Sequence, residues 1–233
     1  MNKTADFNAA GNKQFNKADG ISITYYTDPL CCWSWAFEPH WRRLLFLGGN
    51  DIQFRYCMGG LLPSWNNYHD SSNNVSRPIQ MGPVWMHAQQ VSGRPMRNDI
   101  WMRDPPASSY PACMAVKAAG MQSSLAEDQM LLLLREAVMN EGLNTASKEV
   151  LYSCGVQLAE LNSGFDIKTF RADLVAEKTI DAFKKDLQEA GHLKINRFPT
   201  LVIKNSQGRA ILLRGYRDYD GLVRAMESII VAG

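Results

Sequence analysis

Two kinds of hydrophobic patterning alternate along this chain. "ISITYYTD" (21–28) mixes β-branched and aromatic residues at alternating positions and then meets Asp28-Pro29, which predicts a strand ending in a turn. Residues 31–47 switch to helical spacing closed by Gly48 and Gly49, and "DIQFRYCM" (51–58) returns to strand, stopped by Gly59 and Gly60. A strand, a helix and a strand within about 40 residues form a βαβ unit, with parallel strands and a right-handed crossover. From 62 to 106 the chain is rich in Pro, Asn, Ser and Trp, and reads as loop with one short helix around 83–90. "PACMAVKAAGMQ", "EDQMLLLLREAVMNEG", "SKEVLYSCGVQLAEL" and "DIKTFRADLVAEKTIDAFKKDLQEAG" repeat apolar residues at spacings of three and four, the signature of amphipathic helices. "FPTLVIKNSQGRAILLRGY" then reads as a β-hairpin, and "YDGLVRAMESII" as a terminal helix.

The order βαβ, helices, ββα predicts an α/β fold with a mixed four-stranded sheet flanked by helices. It is one interrupted domain: a core from 21–61 and 193–233, a mostly helical insertion over 62–192, and a polar, flexible leader at 1–20. A hydrophobic fraction of 45% in 233 residues is enough to bury a full core without staples. The net charge is +2 with the basic residues scattered, which argues against nucleic acid or an anionic membrane as partner. No apolar run approaches the roughly 20 residues of a membrane span. The leader lacks the apolar segment of a secretion signal, so the five cysteines are expected in a reducing cytoplasm rather than in a disulfide framework.

Three segments and one turn carry a family resemblance: "DPLCCWSWAFEP" (28–39), "RYCMGGLL" (55–62), "NRFPTLVI" (196–203) and the Gly-Tyr-Arg turn before the last helix. Together with the element order they resemble the DsbA-like branch of thioredoxin-fold proteins. That branch includes cytoplasmic FrnE-like oxidoreductases and the adaptors that deliver the regulator Spx to the ClpXP protease. The resemblance covers both halves of the core, and the insertion only in outline. It implies a thioredoxin-like fold and a thiol site at Cys31. The departure is Ser34, where the family pattern carries its second cysteine.

Cys31 stands at the mouth of the first helix, where unpaired N–H groups and the helix dipole favour the thiolate. The plainer alternative is a small buried apolar residue. Ser34 lies one helical turn on, on the same face. Its hydroxyl can donate to a thiolate but cannot close a disulfide, so the site cannot release a mixed disulfide by internal attack. Such a Cys-x-x-Ser site suits glutathione chemistry resolved by a second thiol, or stable covalent capture; otherwise Ser34 marks lost redox activity. Cys32 leaves the helix about 100° away from Cys31 and reads as packing, a strained vicinal disulfide being the alternative. Cys57, near the end of the second strand, is either a resolving thiol at the Cys31 edge or a core cysteine. Cys113 and Cys154, on amphipathic helices, read as packing.

The resemblance further implies that Pro199 is the cis-proline facing the catalytic cysteine. The backbone before it then pairs with a bound peptide or glutathione like an added strand, and Arg197, Phe198 and Thr200 border the groove. Trp33, at a helix tip, is expected to present an exposed contact surface. The four histidines have no metal-ligand spacing, and His87 falls on the short helix that can cap the site. The reading that follows is a thiol–disulfide oxidoreductase or glutathione-using protein with one active-site thiol. It uses no metal, nucleotide or flavin, and its partners are protein thiols or glutathione, the latter a co-substrate. Two rivals remain: a redox-inactive adaptor binding a client protein for proteolysis, and a relative of kappa-class glutathione transferases and isomerases. The acidity of Cys31 discriminates, an acidified thiol favouring catalysis and an unperturbed one the adaptor.

Overall fold

A computed structural model describes residues 20–230, so all of the leader except Gly20 lies outside the described residues. Strands β1 (Ile21–Thr27) and β2 (Ile52–Met58) flank helix α1 (Cys32–Gly48). Strands β3 (Thr200–Lys204) and β4 (Ala210–Arg214) form the later hairpin, followed by helix α9 (Tyr219–Ile230). The sheet order is β2-β1-β3-β4; β1 runs parallel to β2 and antiparallel to β3, and β3 antiparallel to β4. Central β1 is consequently buried along most of its length, including Tyr25, Tyr26 and Thr27. It carries the β-branched and aromatic side chains that favour a buried strand.

Seven helices lie between β2 and β3: α2 (Met81–Ser92), α3 (Ile100–Arg103), α4 (Tyr110–Gly120), α5 (Ser124–Met139), α6 (Lys148–Leu161), α7 (Ile167–Asp173) and α8 (Glu177–His192). The short helix expected around 83–90 is thus longer and is joined by one more turn of helix. The continuous apolar period over 166–191 is broken into α7 and α8. There the chain bends at Leu174–Ala176, with Val175 exposed, and the buried Asp173 accepts Lys178 at 2.7 Å. The insertion is not a separate body. One apolar core joins Ile23 and Tyr25 of β1 and Phe37 and Trp41 of α1 to α4, α5 and α9. Alanines at 112, 115, 118 and 119 let α4 pack closely within it.

Helix α1 contains Pro39, which has no N–H to offer the Trp35 carbonyl four residues back. That carbonyl accepts instead from Arg94 Nη1 at 3.4 Å, and the same guanidinium lies 3.3 Å over the Trp35 ring. A side chain from the insertion thereby repairs the helix of the core.

Polar groups link the two parts in the interior as well. Arg135 of α5, fully buried, donates to Glu38 of α1 and to Thr27 of β1. Glu38 also accepts from Arg42 at 2.6 Å, and Arg42 reaches Asp128 at 2.5 Å. Asp128 accepts from Tyr56, whose hydroxyl accepts from Trp41 Nε1 at 2.9 Å. Removing one member of a buried ion pair leaves the other charge uncompensated, so Glu38→Gln is expected to cost about 3–5 kcal/mol. Urea unfolding followed by circular dichroism should show a lower midpoint with little change in slope.

Candidate functional site

The turn after β1 places Cys31 as the N-cap residue of α1, with non-helical φ −80° and ψ 108°. Its backbone N–H donates to the Asp28 carbonyl at 3.1 Å, closing the turn. Its sulfur occupies the position of a capping oxygen and accepts the Ser34 N–H at 3.4 Å. The thiol donates to the Phe198 carbonyl, also 3.4 Å away, across the chain from the other half of the core. The Phe198–Pro199 bond is cis. Phe198 is seated against Gly59, where any Cβ would stand 1.9 Å from its ring. Gly60 beside it has φ +62°, a conformation glycine adopts freely.

Asp28 is the residue the sequence did not reveal as part of the site. Its carboxylate is fully buried and accepts from Leu30 N at 2.8 Å, Leu61 N at 2.6 Å and Ser109 Oγ at 2.8 Å. Cys113 Sγ adds a fourth donor at 3.3 Å, so this cysteine is a polar ligand of the turn as well as a packing residue. The only local signal was an aspartate before a proline, which reads equally well as an ordinary turn.

Cys31 and Cys32 open onto a cleft of about 960 Å³. Its lining includes the apolar Leu30, Trp33, Met81 and Tyr216 and residues 67–73, which bring Asn, Tyr, His, Asp and Ser side chains. Trp33 is half-buried in this wall rather than an exposed tip. Its ring meets His87 edge-on at 5.4 Å and Tyr216 at 6.0 Å, and Tyr216 in turn bonds His40 Nε2 at 3.0 Å. His87 itself is exposed. Arg197 and Phe198 line the cleft, but Pro199 and Thr200 do not. Thr200 is buried behind them, its hydroxyl donating to the Arg197 carbonyl at 2.7 Å, because it is already the first residue of a central strand.

The other thiols fall apart by environment. Cys57 shares an apolar cluster with Cys31 and Phe198, yet its sulfur donates to the Asp186 carbonyl at 3.4 Å, and burial pushes the thiol far above its ordinary range. Cys32 packs with Trp35, Met81 and Trp85, and burial raises it as well, with the neighbouring Cys31 adding to the shift. All five cysteines are free.

Cys31 is raised too, against the expectation of an acidified helix-tip thiol. It is 4% exposed, and desolvation of the thiolate is the largest effect. The hydroxyl and N–H of Ser34 pull the other way, the Asp28 charge opposes the thiolate, and Arg135 favours it. The Ser34 hydroxyl lies close enough to act on the sulfur, but in the resting site its buried oxygen makes no hydrogen bond of its own.

A family model described as Thioredoxin matches residues 25–224, nearly the whole described chain. The chain belongs to the thioredoxin family. The ClpXP adapter protein SpxH of Halalkalibacterium halodurans is similar to this thioredoxin-family chain, with 29% identity over 227 residues covering 97% of the chain and 72% of the relative. Among solved structures, the cytosolic disulfide reductase DsbM from Pseudomonas aeruginosa superposes with a TM-score of 0.67 at 22% identity, over 91% of this chain and 100% of DsbM. DsbM has also been solved with GSH, and that structure matches with a TM-score of 0.62 at 22% identity, over 82% of this chain and 89% of that one. These likenesses establish the DsbA-like thioredoxin fold. No helix among the described residues is long and apolar enough to cross a membrane.

The role of Asp28 can be tested through two opposed effects. Asp28→Asn removes acceptors from a buried set of donors and is expected to cost about 1–3 kcal/mol. It also removes a negative charge that opposes the Cys31 thiolate, so the Cys31 pKa, read from iodoacetamide alkylation rates against pH, should fall. Because burial raises the Asp28 pKa in the folded state, its contribution to stability is full below the ordinary carboxylate range and is lost as pH rises through the folded pKa. The Asn variant should lack that part of the pH dependence.

Proposed function

We propose that this protein is a one-thiol member of the DsbA-like branch, which captures a partner that arrives as a disulfide, holding it as a mixed disulfide at Cys31. The partner is glutathione or a cysteine of a client protein. The observation that carries this reading is the placement of Cys31 on the cleft, at a helix mouth, with Ser34 where a second thiol would otherwise close the ring. In the capture step the Cys31 thiolate attacks a disulfide R–S–S–R, the old S–S bond breaks, and R–S⁻ leaves and takes up a proton. Cys31 is oxidised and the departing sulfur reduced. Release needs a second thiol from solution, because Ser34 cannot perform it.

At rest the thiol is held protonated by burial and by its bond to the Phe198 carbonyl. A partner backbone N–H that takes over that carbonyl frees the S–H to lose its proton to solvent, and the Ser34 hydroxyl can then donate to the thiolate that remains. Partner binding and thiol activation are coupled in this way. The cytoplasm, a reducing compartment, suits a chain whose five cysteines are free. That the DsbM relative was solved with GSH supports glutathione as one partner.

A second reading, an adaptor that holds its client without covalent chemistry, is supported by the raised Cys31 pKa and by the SpxH relative. The two readings part in one experiment. After oxidised glutathione treatment, intact mass should show one glutathione adduct that is absent from Cys31→Ser; an adduct that persists in that variant refutes the capture site. The adaptor reading instead expects no adduct and a client affinity unchanged by Cys31→Ser. Separately, Ser34→Cys is expected to form a disulfide with Cys31 and to raise insulin-reductase activity above wild type, since both positions share one face of α1. Failure of that disulfide in a folded variant would show that the two side chains cannot meet.

A further inference from the structure

Arg197 stands at the cleft one residue before Phe198, whose carbonyl accepts the Cys31 thiol. It is exposed, and among the described residues that line the cleft it is the one arginine or lysine. Its guanidinium reaches over to the facing loop, where Nη2 donates to Ser72 Oγ at 2.5 Å. Among the described residues it makes no ion pair. The one carboxylate on the cleft lining, Asp70, is turned onto its own loop, accepting from Ser72 N at 2.9 Å, Asn73 N at 3.2 Å and Asn73 Nδ2 at 2.6 Å.

We propose that Arg197 is a carboxylate clamp that selects which disulfides Cys31 attacks, favouring partners that carry a carboxylate near the reacting sulfur. This rests on the reading of Cys31 as a capture thiol. A guanidinium presents five donors in a planar fork matched to a carboxylate, and the neutral Ser72 hydroxyl occupies only one of them. A serine is also an easy group to displace, because its hydroxyl can turn from acceptor to donor and add a bond to the incoming carboxylate. With Cys31 and Arg197 both on the cleft lining, a short peptidic disulfide can engage both: one sulfur bonds to Cys31, the other leaves as a thiolate that takes up a proton, and the retained half's carboxylate replaces Ser72. Glutathione carries two carboxylates per molecule and fits that description. A neutral or cationic small disulfide has nothing to offer Arg197.

The test compares three disulfides of opposite charge against Cys31 of the full chain: oxidised glutathione (anionic), hydroxyethyl disulfide (neutral) and cystamine (cationic). Rates of mixed-disulfide formation, read by intact mass, are each divided by the rate with the urea-unfolded chain. Wild type should favour oxidised glutathione. Arg197→Ala should lose about tenfold or more of that preference, Arg197→Lys should keep only part of it, and Arg197→Glu should turn the preference toward cystamine. An unchanged ratio in Arg197→Ala overturns the clamp while leaving the capture reading intact. Should Cys31 react with none of the three, the capture reading fails, and the clamp is decided by calorimetric titration with S-methylglutathione, which cannot form a disulfide. Binding weakened about tenfold in Arg197→Ala sustains the clamp; equal binding, or no binding to wild type, overturns it.

Discussion

A buried carboxylate with no basic partner in contact is the constraint around which the site is assembled. Burying an ionised carboxylate is costly unless hydrogen bonds replace its water. For Asp28 the replacement comes from four donors in three segments: Leu30 in the turn, Leu61 after β2, and Ser109 and Cys113 at the start of α4. None of these segments can move without leaving a donor or the carboxylate unsatisfied. The same residue's backbone carbonyl holds the Cys31 N–H. Position and reactivity are opposed here, because the charge that fixes the turn also disfavours the thiolate beside it. Burial is the larger cause of the raised thiol, and this charge adds to it.

The consequence is a buried cysteine whose anion has little support around it. At rest every neighbour able to stabilise its anion is either idle or outweighed. The Ser34 hydroxyl makes no hydrogen bond, and Arg135 is engaged by Glu38 and Thr27. The thiol proton rests on a carbonyl that belongs to the other half of the core. Serine at position 34 preserves a donor for the anion and removes the route to an internal disulfide, a combination suited to holding a partner rather than to releasing it.

Much of this architecture is legible in the sequence where the physics is local. Alternation over 21–27 and 52–58, the glycines that end those segments, and the "FPT" ahead of β3 all report contacts made within a few residues. The αα break at Leu174–Ala176 is invisible to periodicity, since the apolar spacing of three and four continues through it. The acidity expected of Cys31 fails for a related reason. A helix mouth is a surface feature in isolation, and it is covered here by distant residues, among them Phe198 just ahead of β3 and Ile195. The resemblance puts Thr200 on the groove beside Pro199. In the sheet it is already inside, paired with Tyr26. Asp28, Cys113 and Arg135 carry no local mark of their roles, because each acts on a residue more than 80 positions away.

Those long-range contacts also settle what the helical insertion contributes. Arg94 repairs the carbonyl that Pro39 leaves open in α1; Arg135 supplies the counter-charge for Glu38 on the same helix; Ser109 and Cys113 complete the shell of Asp28. Each is a polar group of the insertion satisfying a buried polar group of the core. Apolar packing alone would tolerate small shifts of one layer over the other, because it is non-directional. Hydrogen bonds into a low-dielectric interior do not, since a displaced partner leaves a buried group unpaired. The helix carrying Cys31 is therefore positioned from both sides of the chain, by the sheet below it and by the insertion beside it. Changes in the insertion have a direct physical path to the reactivity of a thiol that none of its residues needs to touch.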